Sequence, residues 1–421
     1  MADPVISFYK SNDTDVLDDT ESVSEFLPEP DDDIGVALNE EDFGSARAGD
    51  STTEHEIHIW NNKGGVSDVT PAYDLEITSV TLRHANSGGE LQEGKEIVEM
   101  LMAQVKDLDE DDEYEAVGGM ITKALGDLRG DKLSTPNMPT GVVGHESGGE
   151  VLPGTYYAKV SALDETGETV ASAESVAVPL TALTEQTTED GNSESLSSGG
   201  NTKLTYKVPG VGTYVNGFQL KQTSGGSLVV NVRLEEDNSG EPSGTLVSAN
   251  SEKLNVTLGD GVVTSVFFNN EITWVDSTIY WLVVSVVSGT GTLKGKATGS
   301  TYRVKYYDGT WHDSSNIYDL YCVVIGDNKI DWSWEEVEYA LTYKLFRTES
   351  SGTYNTPALI AEGIEDITYE DKLCEPTPGE PLAVGTVTYE HCKAINIKIV
   401  ANSEAQTSDC YFDFEARYNK T

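Results

Sequence analysis

The sequence contains few residues whose types and spacing could do chemistry, and the clearest group is the aromatic stretch YRVKYYDGTWHD. Aromatic rings offer an apolar face to a sugar ring, and nearby carboxylate and imidazole groups can hydrogen-bond to its hydroxyls. Four residues of this stretch are therefore candidates for a glycan contact: Tyr302, Tyr306, Trp311 and His312. The favoured interpretation is that alternate aromatics pack the core of a β-sandwich and that Trp311 covers a turn.

Two other patterns resemble metal sites but lack required parts. The alternating acids of residues 107–113 begin like a calcium loop, yet Asp112 stands where that loop needs glycine and Gly118 where it needs glutamate. We expect a solvated acidic turn there. His55 and His58 are three residues apart on a predicted strand, which places them on opposite faces, so a shared metal ion is not expected.

No catalytic constellation is visible in the sequence. GxSxG, HExxH and P-loop motifs are absent, and paired carboxylates carry little information in so acidic a chain. The four cysteines have irregular gaps and no CxxC, which favours buried thiols over a zinc site. We predict a protein that is not an enzyme and uses no cofactor or metal; a glycan-cleaving enzyme is the least favoured alternative.

The charge balance is extreme, with 72 acidic against 27 basic residues, a net charge of −45 and a pI of about 4.2. Such a surface repels itself in dilute buffer, but molar salt screens the repulsion. Adaptation to high salt is the predicted cause, with an ordinary acidic protein as the alternative. Nucleic-acid binding is disfavoured because no basic patch is present. We also expect no membrane span, since the longest apolar run covers only residues 279–287, and no signal peptide is visible.

The apolar periodicity predicts an all-β fold. Residues 330–347, IDWSWEEVEYALTYKLFR, alternate like two strands of a hairpin, which would need support from upstream strands at 154–163 and 168–179. Together with TPNMPTGVV and ITYEDKL, these segments resemble the fibronectin type III-like domains of tailed-virus tail proteins. The resemblance implies that Trp334 is the core tryptophan of one strand and Tyr343 the buried tyrosine of the next. Core packing is also expected for Trp332.

Two more resemblances complete a nested arrangement. Residues 95–108 have the propensities of a helix but lie between strands, and we predict a strand there. The segments HIWNNKGG, LEITSVTL and AVGG, with a predicted hairpin over 392–418, resemble a tail-associated domain of tailed viruses. Residues 203–326, including GEPSGTLV and ITWVDSTIYWLVV, resemble the jelly-roll "choice-of-anchor" modules. An irregular acidic arm at 1–50 and three nested β-sandwiches follow. The sandwiches are a virion-anchoring domain at 51–132 plus 384–421, a fibronectin-like domain at 133–182 plus 328–383, and a jelly-roll insertion at 183–327.

These resemblances imply a structural component of a tailed virus, made in the cytoplasm of a salt-adapted archaeal host and placed at the tail tip or baseplate of the virion. The expected partners are other tail and baseplate proteins and further copies of the chain in three- or six-fold symmetry. A host-surface glycan or S-layer is the candidate receptor. A capsid-surface spike or turret and a cellular carbohydrate-binding adhesin are the alternatives.

The acidic composition generates a first prediction. If the acidity is an adaptation to high salt, the unfolding temperature rises steeply from dilute buffer to molar potassium chloride, because screening removes carboxylate repulsion. Circular dichroism during heating measures this rise. An unfolding temperature that is flat across the same salt series would contradict the adaptation while leaving the fold prediction intact.

Overall fold

The computed structural model describes residues 2–11, 18–19, 34–38, 46–85, 91–92, 101–109, 113–118, 121–146, 148–212, 214–297, 304–317, 319–354, 358–376, 382, 384–401, 403 and 409–419. Within these ranges the regular elements are β-strands and none is a helix, which confirms the predicted all-β class. No helix in the part described has the length and apolar character needed to cross a bilayer.

Strands follow one another along the whole chain. The first nine are β1 (Ile6–Lys10), β2 (Asp18–Asp19), β3 (Ile34–Leu38), β4 (His55–Asn61), β5 (Ala72–Ala85), β6 (Leu91–Gln92), β7 (Leu101–Asp107), β8 (Glu115–Val117) and β9 (Lys123–Leu128). The next four are β10 (Thr140–His145), β11 (Gly154–Asp164), β12 (Gly167–Glu168) and β13 (Val178–Leu180). A long run comprises β14 (Thr184–Gln186), β15 (Ser193–Ser197), β16 (Lys203–Pro209), β17 (Tyr214–Ser224), β18 (Leu228–Asn238), β19 (Glu241–Leu246), β20 (Glu252–Leu258), β21 (Val263–Thr273), β22 (Ile279–Ser288), β23 (Thr290–Lys296), β24 (Val304–Tyr307), β25 (Trp311–Asp313), β26 (Asp319–Leu320) and β27 (Cys322–Ile325). The last six are β28 (Asn328–Ser333), β29 (Thr342–Thr348), β30 (Leu359–Ile364), β31 (Thr368–Asp371), β32 (His391–Ala401) and β33 (Asp409–Asn419).

The first sandwich is built from strands near both ends of the chain. One sheet has the order β1-β4-β32-β7-β8, and the other has the order β2-β3-β33-β5-β6 with β9 paired to β5. Residues Ile57 and Ile59 alternate into the shared core, as the sequence predicts for one face of that strand. The strand predicted within 95–108 is confirmed over Leu101–Asp107. The first strand, β1, lies within the stretch assigned to the arm and adds Ile6 and Phe8 to the same core.

The predicted hairpin over 392–418 is wrong. Strand β32 pairs with β4 and β7, whereas β33 pairs with β3 and β5 in the opposite sheet. The two strands therefore face each other across the core, where Ile397 of one and Phe414 of the other are both buried. Their alternation is the same in either arrangement, so the period of two could not distinguish a hairpin from a crossing between sheets.

The second sandwich repeats this feature. Its sheets have the orders β10-β28-β31 and β12-β11-β29-β30, with β13 paired to β11. The predicted hairpin over 330–347 is also wrong, because β28 pairs with β10 and β31 while β29 pairs with β11 and β30. The upstream support expected from 154–163 is confirmed by the β11–β29 ladder.

The aromatic residues of the second core take the places expected of them. Trp332 is fully buried, and Trp334 and Tyr343 are 6% and 3% exposed, with ring centroids 5.4 Å apart. The Tyr343 hydroxyl accepts a hydrogen bond from the backbone N–H of Val337 at 2.9 Å. This bond lies in the connection that carries the chain from β28 to the opposite sheet, so it helps to fix the crossing.

A buried ion pair also crosses this core. Arg347 donates from Nη1 to Oδ2 of Asp371 at 2.7 Å, and both side chains are almost completely buried. The second terminal nitrogen of Arg347, Nη2, donates to the backbone carbonyls of Leu373 and Cys374 at 3.0 and 3.2 Å. The Tyr156 ring lies 4.9 Å from the guanidinium carbon. Each charge therefore has the partners that burial requires.

The third sandwich lies between β13 and β28 in the chain. Its two sheets run β14-β27-β17-β23-β15 with β21 and β26 alongside, and β19-β18-β22-β16-β24-β25 with β20 alongside. We call the side of the second sheet that faces the core its inner face and the other its outer face. Trp281 is 1% exposed although it lies on the outer face, and its indole N–H donates to Asp237 of the β18–β19 hairpin at 2.8 Å.

Three hydrophobic clusters accompany the three pairs of sheets. The first draws on residues 6–128 and 395–418, the second on 133–180, 330–364 and Val387, and the third on 196–324. The domain boundaries given by the sequence analysis remain a prediction.

The buried ion pair generates a second prediction. Arg347→Leu leaves the Asp371 carboxylate in an apolar core without its cation, and the expected loss is about 3–5 kcal/mol of unfolding free energy. Urea unfolding followed by tryptophan fluorescence measures the loss. The matched control is the double variant Arg347→Leu, Asp371→Leu, which removes both charges and should recover most of the stability. Equal losses in both variants would show that packing, not charge, is responsible.

Candidate functional site

The aromatic stretch singled out in the sequence forms a small hairpin at one edge of the third sandwich. Strands β24 and β25 pair in antiparallel register, and β24 also pairs with β16. The connecting residues, Asp308, Gly309 and Thr310, are exposed. Gly309 has a φ of 135°, a backbone conformation that favours glycine, so the tight turn depends on this residue type.

The hairpin register places the candidate residues on two different faces. Tyr306 pairs with His312 on the inner side, where their rings stack with centroids 5.2 Å apart and Tyr306 packs against the core. Tyr307 pairs with Trp311 on the outer face, with centroids 4.9 Å apart and planes tilted by 57°. The four predicted residues therefore do not form one platform. Tyr302 lies outside the described residues.

Polar groups surround the hairpin on both sides. The His312 ring nitrogen Nε2 lies 2.8 Å from the Thr310 hydroxyl and 3.2 Å from an Asp308 carboxylate oxygen. On the outer face, the Lys305 ammonium lies 3.4 Å from Asp313 and 3.6 Å from Glu241. Sequence reasoning missed Lys203, whose ammonium lies 5.2 Å from the centre of the Tyr307 ring. Only the pairing of β16 with β24 brings these two residues together.

A second polar cluster lies where the first and second sandwiches meet. Asp164, Glu165 and His391 each place one candidate ligand atom within 4.8 Å of the others. These candidate ligand atoms already take part in hydrogen bonds with neighbouring protein groups. Asp164 accepts from Arg129 through one carboxylate oxygen at 3.1 Å and from the N–H groups of Thr166 and Gly167 through the other. The nearby guanidinium and the saturated carboxylate make this an ionic junction that does not favour a metal cation.

The histidine of this junction contacts acceptors on both sides. Its Nδ1 lies 2.6 Å from a Glu165 carboxylate oxygen, and its Nε2 lies 2.8 Å from the backbone carbonyl of Asp131. An imidazole that carries protons on both nitrogens satisfies both contacts. The hydrogen bond from His391 lowers the pKa of the Glu165 carboxyl group, against the opposing effect of partial burial. The Arg129 guanidinium also lies over the Tyr339 ring, 4.7 Å from its centre.

The remaining candidate positions take structural roles. His55 and His58 are both half-buried on β4, where the alternation of the strand places them on opposite faces, as predicted. In the acidic turn, Asp107 accepts a hydrogen bond from the backbone N–H of Asp109 at 2.9 Å, and Asp111 lies outside the described residues.

Three of the cysteines are buried or partly buried thiols: Cys322, Cys374 and Cys392. Cys322 is buried in the third core, and burial raises the pKa of its thiol. Cys374 is half-buried, and burial raises the pKa of its thiol to about 11. A raised thiol pKa disfavours the reactive thiolate, so neither position has the character of a nucleophile.

Neither a family model nor a curated protein matches this chain. Among solved structures, particles derived from infectious bursal virus align at 10% identity over 84% of this chain and 79% of that one, with a TM-score of 0.12. A subviral particle of infectious bursal disease virus aligns at 11% identity over 99% of this chain and 80% of that one, with a TM-score of 0.14. These scores are too low to define a shared fold, and no functional argument rests on them.

The junction generates a third prediction. Because the pKa of Glu165 is lowered in the folded state, its contribution to stability is present above about pH 4.5, the ordinary value, and is lost as the pH falls through the lowered value. Glu165→Gln should therefore reduce stability near neutral pH and have progressively less effect toward about pH 3. Urea unfolding of both proteins across this range measures the difference. A difference that does not change with pH would exclude the His391–Glu165 ion pair as its source.

Proposed function

We propose that this chain is a structural component of a tailed virus particle, located at the tail tip or baseplate, and that it presents its inserted modules to the host surface. The observation that carries the proposal is the nesting of the chain. The first and last described strands, β1 and β33, both lie in the first sandwich, while the residues of the other two cores come from between them. The sequence resemblances to tail modules give the same assignment for each part.

Nesting suits an anchored protein that carries an outward module. The first sandwich contains the strands before β10 and the strands from β32 onward. One anchoring domain can therefore support both of the domains that lie between these strands in the chain. The junction of Arg129, Asp164, Glu165 and His391 ties that unit to the second sandwich through charged hydrogen bonds. Between the second and third sandwiches, the buried Asn216 side chain of β17 donates to the backbone carbonyl of Gly149, in the connection from β10 to β11, at 2.7 Å. Such contacts support a semi-rigid stalk.

A binding role agrees better than catalysis with the polar clusters of the described residues. The histidine and carboxylates that come closest to one another are already used in the junction. In the aromatic hairpin, His312 contacts both the Thr310 hydroxyl and the Asp308 carboxylate through Nε2, whereas in a hydrolytic triad the carboxylate orients the imidazole through its other nitrogen. Several copies on one particle would add weak contacts into useful avidity, provided that their modules can engage together. Host attachment through repeated weak contacts is the mechanism we propose.

The location of the protein in the particle is the fourth prediction. Electron microscopy of purified virus labelled with an antibody to residues 203–326 should show label at the distal end of the tail. Antibody pre-absorbed with the antigen is the matched control. Label on the head would move the protein to a capsid spike or turret. Absence of label from every particle would overturn the virion assignment and favour a cellular adhesin.

A further inference from the structure

The outer face of the third sandwich carries a line of polar and aromatic residues that crosses five strands. Cross-strand registers place its members opposite one another from β18 to β25: Asn231, Ser285, Lys203, Tyr307 and Trp311. We call this line the outer row. Neighbouring strands are about 4.8 Å apart, so the four steps of the outer row span ~19 Å.

The core does not require the two rings at the end of the outer row. On β24, the inner face presents Val304 and Tyr306 to the hydrophobic cluster, and on β16 the inner face presents Leu204. Tyr307 and Trp311 point to the other side and are half-buried. In a chain with a net charge of −45, these two rings form a small apolar surface at the edge of the sheet.

The middle of the same face is closed, whereas the outer row is partly accessible. Val283 and Trp281 of β22 are each 1% exposed, and the β18–β19 hairpin supplies the contacts of Asp237 with Trp281 and of Glu241 with Lys305. By contrast, Ser285, Lys203 and Asn231 are half-buried in the outer row. The Asn231 side-chain oxygen accepts a hydrogen bond from the backbone N–H of Asn255 at 3.0 Å, which fixes the amide in the outer row.

We propose that the outer row binds an uncharged pyranose glycan. One sugar ring stacks on Trp311, and hydroxyls of the next sugars along the glycan bond to Lys203 and Ser285. This inference deepens the proposed host attachment and rests on it only for its biological setting. Indole and phenol rings give sugar C–H groups an apolar contact, while ammonium, hydroxyl and amide groups serve sugar hydroxyls. No covalent step is involved.

The charge of the protein favours an uncharged sugar. With a net charge of −45, the chain repels anionic polymers in dilute buffer. Molar salt screens that repulsion, but it equally screens the attraction of a carboxylate to Lys203. Stacking on a ring does not depend on charge, so contact with an uncharged sugar persists across the whole salt range.

Saturation-transfer NMR on the full-length chain tests the proposal with maltotriose, mannotriose, triacetylchitotriose and trigalacturonate as probes. We expect transfer to the ring protons of at least one of the three uncharged sugars. Trp311→Ala should weaken that binding about tenfold, the factor that corresponds to ~1.4 kcal/mol of aromatic contact. Tyr214→Ala is the matched control, because Tyr214 is an exposed aromatic residue in the other sheet of the third sandwich and its removal should leave binding unchanged.

The possible results distinguish a misfolded variant, a wrong binding site and a wrong ligand. Unfolding temperatures show whether each variant is folded; if Trp311→Ala is not, Lys203→Gln on the next strand of the outer row takes its place and should weaken binding several-fold. Binding that survives Trp311→Ala, or equal losses in Trp311→Ala and Tyr214→Ala, would overturn the outer row as the site. Transfer only to trigalacturonate, or to none of the probes, would overturn the uncharged sugar as the ligand. None of these results depends on where the protein lies in the particle, so the virion assignment stands or falls separately.

Discussion

The antiparallel ladder between β4 and β32 is the constraint on which the rest of the molecule depends. It pairs His391 with Asn61 and Ile397 with His55, and it brings strands from near the two ends of the chain into the centre of one sheet. The apolar side chains of both strands enter the same core. The entropy of closing so long a loop grows only slowly with its length, so burial along the ladder can offset it. Both other sandwiches are contained within the loop that this ladder closes.

The first two sandwiches are joined by two chain connections and by charged hydrogen bonds between them. The chain leaves the first sandwich after β9 and returns to it at β32, and the two crossing points are joined by contacts among Arg129, Asp164, Glu165 and His391. Acidic residues far outnumber basic ones in this chain, and the junction uses one arginine and one histidine to hold two carboxylates. Charged hydrogen bonds with partly buried partners are stronger than exposed ion pairs, which suits a junction that must fix orientation.

In the third sandwich, one hairpin packs against the core with one face and presents two aromatic rings on the other. Tyr306 and His312 stack on the inner side, and this pairing ties the edge hairpin to the core. Tyr307 and Trp311 lie on the outer face in line with Lys203. A β-strand sends successive side chains to opposite faces, so two adjacent tyrosines necessarily take different roles. Tyr306 and His312 complete the packing of this edge, so the proposed glycan contact can use Tyr307 and Trp311.

Much of the fold follows from the sequence by itself. Alternation of apolar and polar residues predicted the strands and the buried face of β4, because burial selects residue types at each position. The resemblance to fibronectin type III-like domains implied the core positions of Trp332, Trp334 and Tyr343, which are buried. The same alternation could not say which strands pair. Residues 330–347 and 392–418 have the pattern of hairpins, yet in each case the two strands lie in opposite sheets. A strand that turns back and a strand that crosses the core have the same period, and only contacts with distant strands distinguish them. The candidate site was likewise determined in part by the sequence and in part by the tertiary structure. The sequence located the aromatic stretch, but cross-strand register decided that Trp311 lies with Tyr307 and Lys203 and not with Tyr306 and His312.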